Sequence, residues 1–131
     1  MIKEHVIPIF NIGLFLISAK DREELADTFP VKEHINDVLN AFDDSIQYSV
    51  MIDDGDNVDI YFILNESCLQ KECPYIIIAH EAYHILNYVF RIIGHKPSLK
   101  EDELEAYLME HIYSVLFDFL TFVLEHDGSK D

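Results

Sequence analysis

The run from Pro74 to Ile93 constrains this chain most: it is apolar at nearly every position and carries His80-Glu81-Ala82-Tyr83-His84, an HExxH pattern, at its centre. On a helix, residues four apart lie about 40° from each other around the axis, so His80 and His84 project from one face and can share a metal ion. Glu81 falls about 100° round from His80, too far to join them as a ligand but placed to take a proton from an attacking water. With seven histidines and twelve glutamates in 131 residues, about 0.03 accidental matches are expected, so the surroundings must carry part of the argument. Ile76, Ile77, Ile78, Ala82, Ile85, Leu86, Val89, Phe90 and Ile93 make the helix apolar nearly all round, which predicts a buried central helix. Polar groups buried there need partners, and one zinc ion satisfies two neutral imidazoles.

Around this helix the chain reads as one α+β domain. Val6 to Ser18, rich in Ile, Leu, Phe and Val, predicts one or two buried strands, bulged or turned at Gly13. Taken to Ala19, the stretch ends in Ile-Ser-Ala, loosely like a signal-peptide core and cleavage site. The segment before it is barely positive, and Pro8 and Asn11 interrupt it, which favours strands. Asp21-Arg22-Glu23-Glu24-Leu25 opens a short helix closed by Pro30, and Val31, Ile35, Val38, Leu39 and Phe42 form the apolar stripe of a second. Two alternating runs, 46–52 and 58–64, flank Asp53-Asp54-Gly55-Asp56-Asn57 and predict an antiparallel hairpin with a solvated turn. Pro74 suits the first turn of the HExxH helix and Gly94 its left-handed stop. Ser98 and Glu101 form a capping box that starts the last helix at Leu99, to run to Glu125. Residues 6–64 thus supply the strands and an amphipathic helix, 74–93 the HExxH helix, and 99–125 the helix after it. The expected fold is a small antiparallel or mixed sheet packed on two long helices.

A net charge of −16, with only nine lysines and arginines, argues against nucleic acid or an anionic membrane as a direct partner and favours a basic peptide or protein. No stretch is apolar enough to be read as a membrane span. Cys68 and Cys73 lack the second pair of a zinc knuckle and read as free thiols of a reducing, cytoplasmic compartment.

A catalytic zinc takes three protein ligands and a water. The extended HExxHxxGxxH form is excluded, because Asn87 and Phe90 stand where it needs Gly and His. Glutamates on the following helix remain. Glu101 is used in the cap, and Glu105 points about 200° from Glu103, so only one of Glu103 and Glu105 can face a metal.

His80-Glu81-x-x-His84 followed nineteen residues later by Glu103-x-x-Ala106 resembles the gluzincin zinc metallopeptidases and the small zincin-like proteins of bacterial and phage genomes. The resemblance covers roughly residues 46–119. It implies a minimal zincin-like fold, zinc held by His80, His84 and Glu103, Glu81 as general base, and amide or peptide hydrolysis. It also implies that the strand 58–64 lies beside the cleft and aligns an extended peptide by strand addition. The chain departs from the group at Tyr107, where an Asp or Asn is common. Tyr107, Glu110 and Ser114 follow Glu103 along one helical stripe, and Tyr107 is the candidate oxyanion donor. The competing expectation is an inactive zincin-fold protein that binds a basic partner.

Overall fold

A computed structural model describes residues 1–8, 10–44, 47–53, 55, 57–69, 73–96, 98, 100 and 102–126. They form an α+β chain with a four-stranded mixed sheet and two C-terminal helices. The chain divides into two compact units, Met1–Pro74 and Tyr75–Asp131.

In the first unit, strands β1 (Ile2–Ile7) and β2 (Ile12–Ala19) form an antiparallel hairpin. The turn falls at Asn11, not at Gly13. Asn11 takes φ 56°, which a short amide side chain tolerates, and its N–H donates to the Ile7 carbonyl at 3.1 Å. Gly13 lies in β2 for another reason: a Cβ there would stand 2.6 Å from Asp59 Oδ1.

Helix α1 (Arg22–Thr28) is capped by Asp21, whose carboxylate accepts from the Glu24 N–H at 2.9 Å. A 3-10 turn over Lys32–His34 then leads into α2 (Ile35–Asp44), so the stripe expected from Val31 becomes α-helical one turn late. Arg22 pairs with Asp43 and ties α1 to α2. Leu25, Phe29, Val38 and Phe42 bury against Ile17, Tyr61 and Ile63, with the Phe29 and Tyr61 rings 5.1 Å apart.

Strands β3 (Gln47–Asp53) and β4 (Val58–Asn65) form the expected hairpin, with Gly55 at φ 94° in its loop. Asp54 and Asp56 lie outside the described residues. The sheet order is β1-β2-β4-β3, and β2 pairs with β4 in parallel. This overturns two expectations. Ile60 to Asn65 are all buried, so alternate side chains on both faces of β4 are covered and neither face is solvated there. Hydrogen-bonded on both sides, β4 has no free edge for strand addition. The edges are β1 and β3. Gln47 and Ser49, on the face of β3 expected to meet solvent, are also buried, and Gln47 Nε2 donates to the Pro74 carbonyl at 3.3 Å.

The second unit holds α3 (Pro74–Ile93) and α4 (Glu103–Glu125). Gly94, at φ 72°, ends α3 as expected, and His95 N–H returns to the Phe90 carbonyl at 3.0 Å. The α4 start differs from expectation: the helix begins at Glu103, and Asp102 occupies its N-cap without a side-chain cap bond. Leu99 and Glu101 lie outside the described residues. Ser98 serves the connector instead, its Oγ accepting from Lys100 N–H at 3.2 Å. Tyr75, at the start of α3, meets the later half of α4: its hydroxyl lies 3.4 Å from Thr121 Oγ1, its carbonyl accepts from the Tyr113 hydroxyl at 3.4 Å, and its ring centroid is 5.1 Å from that of Phe117. The two helices therefore run antiparallel. Among the described helices, α4 has the length and apolarity that a membrane span requires, and 33% of that window is buried.

Candidate metal centre

His80, Glu81 and His84 lie within little more than one turn of α3, with no loop between them. Their ligand atoms all lie within 4.8 Å of one another. His80 Nε2 and His84 Nε2 are 3.0 Å apart, with the rings edge to face at 75°. Such a contact needs one ring nitrogen as donor and the other as acceptor, so at least one ring presents a nitrogen lone pair toward its neighbour, the group that a metal takes up.

The burial of these residues corrects the sequence expectation. α3 is not apolar-packed all round: Ile78, Glu81, Ala82, Ile85, Leu86, Val89 and Phe90 form its buried stripe, while His80 and His84 are exposed and Ile76 and Tyr83 stand 73% and 60% exposed beside them. The group that burial penalises is Glu81, at 6% exposure. Its negative charge also reaches Tyr88: burial first, and then Glu81, push the Tyr88 hydroxyl above its ordinary range, against an opposing pull from Arg91. Arg91 lies 5.9 Å over the Tyr88 ring.

The other candidates lie elsewhere. Glu103 is exposed at the first residue of α4 and stands outside the His80, Glu81, His84 cluster. The helix register explains this. α3 continues nine residues past His84, about 14 Å at 1.5 Å per residue, before the chain turns back. With Tyr75 beside Phe117, equal rise along both helices sets Glu103 about level with Val89, and Leu108 and Ile112 about level with His84 and His80. Glu105 is engaged by the connector: its Oε1 accepts from Ser98 N–H at 2.8 Å and lies 3.4 Å from His95 Nε2. Tyr107 is 51% exposed, about level with Ile85, and stacks on His111 at 6.5 Å. It lines a hollow of about 150 Å³ with Glu110, His111 and Ser114, the stripe the sequence spacing anticipated.

Sequence reasoning missed the bracket formed by Ser98, Glu105 and His95, and the open cleft beside it. A histidine one residue past a helix stop and a glutamate in the first turn of the next helix gave no signal without the turn that joins them. Comparison with family models, curated proteins and solved structures returns no match for this chain.

Proposed function

We propose that the chain is a zinc-dependent amide or peptide hydrolase of zincin-like design, centred on α3. The observation that carries this reading is the 3.0 Å approach of His80 Nε2 to His84 Nε2 with the Glu81 carboxylate beside them. Two imidazoles on one tetrahedral zinc are expected about 3.3 Å apart, from Zn–N bonds of about 2.0–2.1 Å, so this donor set fits the ion with little adjustment. Zinc bound there supplies a Lewis acid that polarises a carbonyl and eases deprotonation of water.

The rest falls to side chains. Glu81, nearly buried yet beside two exposed imidazoles, accepts a proton from the attacking water and returns it to the leaving amine. The exposure of His80 and His84 leaves room for a carbonyl to approach from solvent. Glu103 is assigned as third ligand by the resemblance, and in this structure it stands apart from the pair. Tyr107 is assigned as donor to the developing oxyanion, on its level beside Ile85. The free thiols Cys68 and Cys73 accord with a reducing, cytoplasmic setting.

Zinc content of protein purified without chelator, measured for wild type, His84→Ala and Glu103→Gln, tests the ligand set. One zinc per chain, lost in His84→Ala, supports the site; retention in Glu103→Gln removes Glu103 from it. Hydrolysis of a peptide library by wild type but not by Glu81→Gln supports the base. Activity that persists in that variant excludes it.

One observation favours the second reading, a zincin-fold protein that binds a basic partner without catalysis: Glu103 stands apart from the cluster, which among the described residues holds only His80, Glu81 and His84. Zinc uptake without hydrolysis of any library peptide would select it.

A further inference from the structure

Past His84, where the exposed face of α3 meets its buried stripe, the helix borders a cleft of about 250 Å³. Its apolar wall is built by Leu86 and Phe90, 6% and 5% exposed, and the Tyr83 ring forms its rim. Asn87 is held against the helix beside it, its Nδ2 donating to the Tyr83 carbonyl at 3.0 Å. The opposite side carries two carboxylates, Asp102 and Glu105.

Both carboxylates are set for a ligand in different ways. Glu105 is largely covered, with 14% of its side chain exposed, and both of its contacts fall on Oε1, so Ser98 and His95 fix the group in place. Among the described residues nothing bonds its Oε2. Asp102 sits at the N-cap of α4, where an aspartate ordinarily caps the helix, yet makes no cap bond. An apolar wall that ends in two carboxylates matches a side chain with a methylene stem and a cationic tip: the stem packs on Leu86 and Phe90, and the tip makes charge-assisted bonds. Asn87 and Phe90 lie about 4.5 Å and 9 Å along the helix past His84, so a lysine side chain, which extends about 6 Å, reaches the middle of the cleft. A neutral aliphatic side chain would leave the carboxylates against apolar atoms, and an acidic one would be repelled.

We propose that this cleft is a subsite for a lysine or arginine side chain of a peptide engaged at the His80 and His84 centre. The proposal rests on the hydrolase reading for its substrate, while the cleft itself exists without the metal.

The test follows the backbone amides of Asn87, Ser98 and Glu105 by NMR, with chelator present, during titration with Nα-acetyl-lysine amide and, separately, Nα-acetyl-norleucine amide. The expected result is saturable shifts with the lysine probe and about tenfold weaker binding of the norleucine probe, as loss of a charge-assisted bond predicts. Asp102→Asn should weaken the lysine probe by a similar factor, and Asp102→Glu should restore it. Equal affinity for the two probes, or no saturable shift at these amides, overturns the subsite. A lysine preference in a protein that takes up no zinc removes the hydrolase reading and keeps the subsite. Peptide cleavage with no preference for lysine or arginine does the reverse.

Discussion

Titrating zinc against thermal unfolding puts the His80 and His84 pair to a quantitative test. Their Nε2 atoms already stand 3.0 Å apart, so side-chain torsions alone can admit the ion and no backbone energy is spent. A ligand that binds only the folded chain stabilises it by about 2.7 kcal/mol at a hundredfold excess over its Kd. For a chain of 131 residues each kcal/mol moves Tm by about 3–4 °C, which predicts a rise of about 8–11 °C. His84→Ala removes an exposed side chain from a helix face, so the fold should survive, and the zinc-induced rise should shrink to about 2 °C or less. Differential scanning fluorimetry reads both proteins side by side, with calcium as the control for a surface of net charge −16, since calcium prefers oxygen ligands. Equal rises in the two proteins, or a calcium effect as large as that of zinc, would refute the reasoning by placing the ion on the acidic surface.

The remaining predictions concern the fold. Burial, and after it Glu24, raise the Glu66 carboxyl above its ordinary range, so its protonated form favours the folded state and that contribution is lost as pH rises through the folded pKa. Glu66→Gln should therefore raise Tm at neutral pH and leave it unchanged at about pH 3, where both side chains are neutral; a gain that is the same at both pH values contradicts the assignment. Phe29→Ala empties a fully buried site beside Tyr61 and should cost about 3–5 kcal/mol, read as a lower urea midpoint with unchanged slope. Gly94→Ala forces a Cβ into a left-handed stop and should cost about 1–2 kcal/mol by the same measurement, although nothing lies within 4 Å to clash.

The elements legible in the sequence were those fixed by local chemistry. Asp21 acts through its carboxylate on a backbone N–H three residues on, and Pro74 and Gly94 through their own backbone, so the start of α1 and both ends of α3 could be read directly. The β3–β4 hairpin followed from alternation around a glycine-containing loop. The parallel pairing of β2 with β4 could not be read, because a period of two tells a strand which faces it has and not who its neighbours are. The burial of Gln47 and Ser49, and the exposure of His80 and His84 on a segment rich in isoleucine, depend likewise on distant residues. The start of α4 was misplaced because Ser98 has two uses open to it, a helix cap or a turn, and Glu105 captures its N–H for the second.

The parallel seam also shapes how the chain can acquire its structure. Leu14 pairs with Ile60 across 46 residues that include α1, α2 and β3, whereas β1–β2 and β3–β4 close over short loops. The two hairpins can form early, with β2 and β4 each presenting an edge of unpaired backbone groups, and must wait for a long loop to close before those edges meet. During that interval β4 exposes Ile60, Phe62 and Leu64 along an open edge, the combination that drives one chain to pair with another. Refolding yield should consequently fall with protein concentration, through association at the strand that in the finished protein is the most completely enclosed.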